Sequence, residues 1–484
     1  MDRSDRIARH TFEIFVSMAA IGVLHYFFKI TMARMLTVSG YGLLSTVEPV
    51  VILTSSLALT GFAAALSKYL SEEIAKNDRK TAENYVATAL YYIFPVSIGV
   101  SVLMILLSDS IAGIIFHEPQ MGILIRIVIL IMPVEALWLI FDGIFLGCQK
   151  SPYYTYALLV YHVTVLCTAL LLVTHGMGTK GAVTAMLLGD FSGLTAAYIF
   201  YVKKFRRKIS FHGGKRSFTL FRTLVAFAIP RTITSVSATI LMSFDIFCIT
   251  YFLGVTYAGL YNAAVPVARV LLLVTQSICL PLLPAVSEDH AKGKEYMSTY
   301  VTDALTYVSA ASFPLVIVCS VYAEEFIIFF FGAPYAAAAC ALVILCAAML
   351  VMAHCAVFSV TFQGMGRPNI PMNISVFAVF FNILFNIYLI PRVGIEGAAF
   401  ATLISLLIMF AYFSLKIREY IDYGKIQSSI LKIGILSLAM LIILLVLRDM
   451  VLIGTVLGLA FYGGSIIKWN VIDIRKFFRQ IEEM

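Results

Sequence analysis

The stretch from Phe377 to Leu406, FAVFFNILFNIYLIPRVGIEGAAFATLISL, decides the fold. It begins as an apolar helix with Asn382 and Asn386 one turn apart, breaks at Pro391, and continues through a Gly-x-x-Gly-Ala turn into a second apolar helix. The same turn begins at Gly178, 216 residues earlier. A turn between two apolar helices that recurs almost half a chain away predicts a duplicated helical body.

The composition is that of a membrane protein. The chain has 484 residues, of which 61% are hydrophobic and 13% charged, whereas soluble domains carry about 25% charged residues. We therefore predict an all-α polytopic membrane protein with about fourteen transmembrane helices, each needing roughly 20 apolar residues. The predicted spans are 11–34, 44–66, 85–107, 121–146, 154–174, 182–202, 224–252, 261–283, 300–322, 336–361, 370–390, 397–415, 430–447 and 451–467.

The distribution of basic residues orients these spans. With the N-terminus inside, the loops on the inner side hold 26 of the 35 Lys and Arg residues, and the outer loops hold three. Cytoplasmic loops are enriched in Lys and Arg, so we predict a multi-pass protein of the cell membrane with both termini cytoplasmic. The net charge of +8 is concentrated in these loops, which argues against a nucleic-acid partner and favours contact with membrane lipids.

The repeat divides the chain into halves. Its anchors recur in order, within three residues of one offset; examples are Gly42 with Gly259, Pro49 with Pro266, and Phe94 with Phe313. Six helices per half give both halves the same orientation, so we predict two pseudo-symmetric six-helix bundles around a central cavity, plus a C-terminal helix pair. The predicted domains are an N-terminal bundle (1–203), a basic cytoplasmic linker (204–222), a C-terminal bundle (223–418), and accessory helices 13–14 with a cytoplasmic tail (419–484).

Charged residues inside the spans are the candidate site. A charge near the centre of a bilayer costs about 2.5–3.5 kcal/mol, so each one needs an explanation. Matching helices of the two halves carry four cations, the candidate anion-binding residues Lys29, Arg34, Arg231 and Arg269. The same helices carry three candidates for coupling or charge pairing, which are Glu48, Asp245 and His25.

Two interpretations of these charges stay open. In the first, they form structural pairs, such as Glu48 with Arg269 or Asp245 with Arg231. In the second, four cations against two carboxylates leave a positive cavity that binds an anion. Elsewhere, Glu135 and Asp142 share one face of the fourth span and are interpreted as interhelical ties, with coupling-ion ligands as the alternative. Asn382 and Asn386 are expected to form interhelical hydrogen bonds.

Several functions lack their motifs. The sequence contains no G-x-x-x-x-G-K-[ST] loop, no H-E-x-x-H helix and no nucleophile elbow, so we predict neither an enzyme nor a nucleotide-driven pump. The eight cysteines lie in or beside apolar segments without C-x-x-C spacing, which indicates buried side chains and no metal site. No cofactor is predicted. The energy sources that remain for transport are an ion gradient, the membrane potential, a substrate gradient or a partner protein.

Three motifs resemble one transporter family. They are Ala33-Arg34-Met-Leu36 followed by Gly40-Tyr41-Gly42; Asp245 leading to Phe252-Leu253-Gly254 and Ala258-Gly259-Leu-Tyr261; and Asn382-x-x-x-Asn386-x-x-Leu389-Ile390-Pro391-x-x-Gly394-x-x-Gly397-Ala398. Across nearly the whole chain the sequence resembles the polysaccharide (Wzx-type and SpoVB-like) flippases of the multidrug/oligosaccharidyl-lipid/polysaccharide exporter superfamily. It is more distantly similar to the MurJ-type lipid II flippases.

The resemblance implies a function. It implies a flippase that moves a polyprenyl-diphosphate-linked oligosaccharide to the outer leaflet by alternating access, for surface polysaccharide or glycan assembly, with a glycan polymerase or glycosyltransferases as further partners. The main alternative is an ion-coupled exporter of drugs or organic cations of the related type, for which acidic residues should dominate the cavity. A membrane-embedded glycosyltransferase would need a large extramembrane loop with carboxylates, and a non-transporting scaffold is neither favoured nor opposed by the residues.

Overall fold

The computed structural model describes residues 3–56, 61–209, 214–292, 294–418, 420 and 423–469, with the side chains of most of them. Within these residues the chain is helical almost throughout, because in a bilayer each helix must satisfy its own backbone hydrogen bonds. The helices are α1 Arg3–Met35, α2 Val38–Ser55, α3 Gly61–Ala75, α4 Arg79–Ser110, α5 Pro119–Ile129, α6 Ile131–Gly147, α7 Ser151–Leu172, α8 Gly178–Phe200, α9 Phe218–Leu253, α10 Val255–Lys292, α11 Lys294–Val321, α12 Ala323–Phe331, α13 Ala339–Gly364, α14 Asn369–Val393, α15 Ile395–Ile417, α16 Tyr423–Val446 and α17 Val451–Lys468.

Membrane-spanning length confirms the predicted class. In the described ranges, twelve segments are long and apolar enough to cross a bilayer. One of them, Ser151–Phe205, contains both α7 and α8, which pack along each other after the chain turns back at 173–178. Each predicted span overlaps a helix of the structure, and the span 121–146 divides into α5 and α6. The chain is therefore an all-α polytopic membrane protein, and fourteen stands as an approximate number of spans.

Two compact units divide the chain, Met1–Gly259 and Leu260–Met484. The first unit includes α9, which packs against α2, α3 and α4. This division follows contacts, whereas the predicted domain boundaries follow the sequence repeat. The division at 204–222 therefore stays a prediction.

The repeated turn has the same backbone conformation in both places. Gly178 begins α8 with φ 53° and ψ −138°, and Gly394 precedes α15 with φ 77° and ψ −146°. These angles are open to glycine and strained for other residues. The second glycine of each motif lies close to the preceding helix: a Cβ on Gly397 would be 2.6 Å from the Leu389 carbonyl oxygen, and one on Gly181 would be 2.9 Å from the Met177 Cβ.

The basic linker is attached to α4 where it is described. The Lys215 backbone N–H donates to Asn84 Oδ1 at 2.6 Å, and the Ser217 N–H donates to Thr88 Oγ1 at 3.1 Å. The Arg216 guanidinium lies 4.3 Å from the centre of the Tyr91 ring. Ser217 then caps α9, because its hydroxyl accepts from the Leu220 N–H.

In the second unit, the predicted accessory pair packs on a helix of the repeat. Both α16 and α17 contact α11, and the Tyr462 hydroxyl of α17 donates to the Ala310 carbonyl of α11 at 3.1 Å. In α14, Asn386 Nδ2 donates to the Asn382 carbonyl oxygen at 2.8 Å and to Asn382 Oδ1 at 3.0 Å. The bonds between these amides are thus within one helix, and the expectation of interhelical bonds is wrong for them.

Candidate functional site

The first pair of helices holds a buried ion pair. Lys29 of α1 is 6% exposed, and its ammonium group pairs with the Glu48 carboxylate of α2. Removing either partner would leave a buried, uncompensated charge, so the pair also fixes α1 against α2. The sequence suggests Arg269 as one partner of Glu48, and within the first unit the structure adds Lys29, a partner that the sequence does not predict.

His25 lies one turn before Lys29 on α1, as predicted. Its ring is half-buried and meets the ring of His162 on α7, with a centroid separation of 6.0 Å and an interplanar angle of 88°. The two helices pack along each other. His162 was missed by sequence analysis, because a single histidine in an apolar helix carries no pattern that shows which way it faces.

The remaining predicted residues occupy different environments. Asp245 of α9 is 5% exposed, and its Oδ1 accepts a hydrogen bond from the Ile246 N–H at 2.9 Å. Arg34 is exposed in the last turn of α1, and Arg269 is half-buried on α10 in the second unit. Arg231 lies in α9, and its side chain is outside the described residues. The structure thus brings Lys29 and Glu48 together, with His25 beside them.

A hydroxyl contact joins α2 to α9. Thr46 Oγ1 and Thr250 Oγ1 are 2.8 Å apart, and both side chains are fully buried. Each hydroxyl also lies within hydrogen-bond distance of a carbonyl in its own helix, at Gly42 and Ile246. Since a hydroxyl has one hydrogen, one threonine donates to the other, and the second donates to its own helix.

A second buried polar region lies around α6. The Ser55 hydroxyl of α2 donates to Glu135 Oε2, so Glu135 ties α6 to α2 as predicted. Asp142 of α6 and Asp190 of α8 are 6% and 7% exposed. Among the described residues neither carboxylate takes part in an ion pair and Asp142 Oδ1 has no hydrogen-bond partner, so the predicted tie is found for Glu135 and stays a prediction for Asp142.

The chemistry available is recognition of charge. In the part of the chain that the structure describes, no group of three or more His, Cys, Asp or Glu side chains is arranged to hold a metal ion. The polar side chains inside the helices are charged groups, imidazoles, amides and hydroxyls. Such groups can bind and reorient a charged molecule in a membrane.

Comparison with solved structures defines the class. The chain is similar to a structure titled "Lipid II flippase MurJ, inward closed conformation", with a TM-score of 0.79 and 16% sequence identity, over 94% of this chain and 98% of that one. At this identity the likeness establishes the fold. The protein has the architecture of a polytopic helical transporter.

Sequence comparison then gives the family. A model described as "Polysaccharide biosynthesis protein" matches residues 7–290, more than half of the chain, and the chain belongs to this family. It is 30% identical to the uncharacterized membrane protein MJ1068 of Methanocaldococcus jannaschii over 50% of this chain and 49% of that protein. It is 24% identical to the probable low-salt glycan biosynthesis flippase Agl15 of Haloferax volcanii, over 51% of each. The matches thus span about half the length of these two relatives.

Proposed function

We propose that this protein is a flippase that moves a lipid-diphosphate-linked oligosaccharide from the cytoplasmic to the outer leaflet of the cell membrane. The observation that carries the proposal is the surplus of fixed positive charge in the matching helices of a polysaccharide biosynthesis protein. The candidate set contains four cations, Lys29, Arg34, Arg231 and Arg269, and two carboxylates, Glu48 and Asp245. Such a surplus suits an anionic diphosphate and opposes an organic cation.

The ion pair in the first unit assigns different roles to the cations. Because Lys29 is already paired with Glu48, it serves mainly to hold α1 on α2. Binding of the diphosphate is assigned chiefly to the arginines of the set, Arg34, Arg231 and Arg269, because the planar guanidinium offers two parallel donors to phosphate oxygens. His25 lies beside the Lys29–Glu48 pair and is assigned to charge pairing or coupling.

The cycle is alternating access. One half moves against the other, so that the diphosphate and glycan cross in a polar cavity while the polyprenyl chain stays in lipid. Glycosyltransferases on the cytoplasmic side would supply the substrate, and a polymerase or transferase on the outer side would consume it. An ion gradient or the membrane potential would supply the energy.

Reconstituted protein tests the proposal. Proteoliposomes are loaded with a polyprenyl-diphosphate-linked oligosaccharide, and its exposure is followed with an enzyme or lectin that cannot cross the bilayer. Arg231→Gln and Arg269→Gln should each lower transport, because losing one charge-assisted contact costs about 1.5–3 kcal/mol, roughly ten- to a hundredfold in affinity. Lysine at either position should restore part of the activity, because it keeps the charge and loses the fork.

Control variants separate binding from folding. Arg392→Gln is the matched control, because Arg392 is exposed at the end of α14 and packs over the Tyr388 ring. If Arg231 instead forms a structural pair with Asp245, Arg231→Gln with Asp245→Asn should restore both abundance and transport. Rescue by this double variant would defeat the proposal. Transport of organic cations without movement of the lipid-linked glycan would establish the exporter alternative.

A further inference from the structure

An apolar groove opens between α4, α6 and α8 of the first unit. It has a volume of about 340 Å³, and its walls include Leu90 of α4, Leu137 and Ile140 of α6, and Leu194 and Thr195 of α8. The Thr195 hydroxyl donates to a carbonyl of its own helix at 2.7 Å, so its hydrogen is already used. The groove therefore presents mainly hydrocarbon surface to its occupant.

Two aromatic rings fix the shape of the groove. Phe141 of α6 and Tyr198 of α8 both line it, and their rings meet edge to face with centroids 6.1 Å apart. The Phe141 ring is also 5.4 Å from the ring of Tyr201, whose hydroxyl donates to the Ile209 carbonyl at 2.9 Å. Because these rings are held in place, the walls would lose dispersion contacts if nothing filled the groove.

The groove faces lipid in the half of the membrane nearer the basic linker. Leu90 lies in the first half of α4, Phe141 in the second half of α6, and Tyr198 in the last two turns of α8. These ends of α6 and α8 lie together, since the ring of Phe145 is 5.1 Å from that of Phe205, just beyond α8. Tyr198 is 54% exposed, so the groove is open at the surface of the helices.

Cations lie at the end of the groove that meets the membrane surface. Val202 and Arg206 follow Tyr198 at intervals of four residues, and both are exposed. Residues four apart share a face of a helix, so the face of α8 that lines the groove leads to a guanidinium. On the α4 side, the guanidinium of Arg216 lies 4.3 Å from the centre of the Tyr91 ring, one residue beyond the leucine that lines the groove.

The acids near these cations are already paired. The sequence from 201 to 222 is rich in Lys and Arg and contains no Asp or Glu. At the start of α4, Glu83 accepts from the Arg79 guanidinium at 2.9 Å, and at the end of α3 Glu73 accepts from the Lys76 ammonium at 2.8 Å. The groove thus combines apolar walls with positive charge at its surface end.

An anionic lipid has the complementary parts. We propose that the groove binds one hydrocarbon chain of an anionic phospholipid of the surrounding membrane, with the lipid phosphate held by Arg206 and Arg216. Basic pockets between transmembrane helices bind anionic headgroups, and guanidinium groups suit phosphate oxygens. The occupant is bulk lipid and not the transport substrate, because the candidate substrate residues lie on α1, α9 and α10. Among the described residues, those helices contribute no side chain to the lining.

The bound lipid would join parts of the first unit. Its chain would contact α4, α6 and α8, and its phosphate would hold the linker at Arg216 close to the end of α8. A ligand that binds only the folded protein stabilises it, so an anionic lipid should raise the unfolding temperature in detergent. The proposal concerns the lipid around the protein and does not depend on the transport substrate.

The chain contains its own probe for this site. The indole of Trp138 lies behind the groove, because it follows Leu137 in sequence and covers Gly193, whose neighbour is Leu194. A Cβ on Gly193 would be 2.3 Å from the indole ring. The chain has two tryptophans, so Trp469→Phe leaves this indole as the sole one. Bromine on a lipid chain quenches tryptophan emission at short range, so quenching reports a chain in the groove.

The Trp469→Phe protein is reconstituted in phosphatidylcholine bilayers that contain increasing fractions of a lipid brominated at the middle of its chains. Brominated phosphatidylglycerol should quench at a lower fraction than brominated phosphatidylcholine, because the cations enrich the anionic lipid. A basic residue near an anionic surface is worth about a fivefold change in binding. The double variant Arg206→Gln with Arg216→Gln should therefore remove most of the difference between the two lipids.

Matched variants separate the groove from a general attraction of anionic lipid. Thr195→Phe fills the groove from an exposed position and should lower quenching by both lipids. Leu188→Phe should not, because Leu188 is exposed on the same helix and lies outside the lining. Lys416→Gln is the control for charge, since Lys416 is exposed in the last turn of α15 in the second unit.

Three results would overturn the proposal: equal quenching by the two brominated lipids, quenching that Thr195→Phe leaves unchanged, or relief of quenching by a polyprenyl phosphate and not by unbrominated phosphatidylglycerol. The last result would give the groove to the substrate's lipid. If Thr195→Phe does not fold, the arginine double variant carries the test, and an unchanged preference for phosphatidylglycerol in that variant would refute the site.

Discussion

Gly42 and Gly259 lie against each other where α2 and α10 begin. A Cβ added to Gly42 would be 1.7 Å from the Val255 carbonyl oxygen, and one added to Gly259 would be 2.3 Å from the Val38 carbonyl oxygen. Both pairs, Gly42 with Gly259 and Val38 with Val255, are separated by 217 residues in the sequence. The contact is therefore reciprocal, which is what a two-fold relation between the repeats predicts. All four residues belong to the first unit.

We predict that alanine at Gly42 or Gly259 forces these helices apart. Overpacking a close contact costs about 1–3 kcal/mol, and here the obstacle is backbone, which cannot rotate away. Both variants should unfold at lower temperature in detergent. A cysteine placed at Thr46, which is fully buried beside Thr250, should then react faster with a maleimide in the Gly42→Ala background.

Gly99→Ala is the control for this experiment. Gly99 lies within α4, and nothing lies within 4 Å of the position its Cβ would take. Alanine there should leave thermal stability unchanged or raise it, because alanine is the better helix former by about 1 kcal/mol. Equal effects of Gly42→Ala and Gly99→Ala on the unfolding temperature would show that the close contact of α2 with α10 does not limit stability.

The Lys29–Glu48 pair should be energetically coupled. Lys29→Gln or Glu48→Gln alone should lower stability by about 3–5 kcal/mol, because each leaves a buried charge without its partner. The double variant Lys29→Gln with Glu48→Gln should lose less than the sum of the two single variants. A double-mutant cycle on unfolding free energies measures the difference, for which we expect about 0.5–3 kcal/mol. Additive losses would show that the pair contributes no coupling.

The predicted orientation can be tested at two exposed lysines. Lys215 lies in the linker assigned to the cytoplasm, and Lys180 lies at the start of α8, assigned to the outside. In a cysteine-free background, an impermeant maleimide should label Lys180→Cys in intact cells and should label Lys215→Cys after the membrane is opened. Labelling of Lys215→Cys from outside would reverse the orientation. Gly214 is a poor position for the label, because a Cβ there would lie 2.1 Å from the Glu83 carbonyl oxygen.

The repeated turn should need glycine in both halves. Gly178→Ala and Gly394→Ala place a side chain in a backbone conformation that costs about 1–3 kcal/mol. Each should lower the unfolding temperature. Gly463→Ala is the control and should not lower it, because Gly463 lies within α17 and nothing lies within 4 Å of the position its Cβ would take. If one turn tolerates alanine and the other does not, the two turns have different structural roles despite their common motif.

The sequence predicts the helices and the repeated turn because both follow from local chemistry. Apolar length defines a span, and the left-handed backbone at Gly178 and Gly394 requires glycine. Which charged residues pair with each other depends instead on which face each helix turns towards its neighbours. Lys29 and Arg269 are both positively charged, and the composition does not show which of them forms an ion pair with Glu48.

The buried acids were harder to interpret from the sequence. Glu135 and Asp142 share a helix face, and this spacing correctly places Glu135 towards a neighbouring helix. It does not show that Ser55 is its partner, or that the Trp138 N–H and Asp142 Oδ1 are buried without hydrogen-bond partners among the described residues. Asp190 comes from another helix, and the sequence does not show that this helix, α8, packs on α6.

The attachment of the linker to α4 has a mechanical consequence. Two backbone hydrogen bonds and a stacked arginine hold residues 215–217 to Asn84, Thr88 and Tyr91. These contacts join the first turn of α9 to α4 through the linker, so we expect a tilt of α4 in the membrane to move the start of α9 with it.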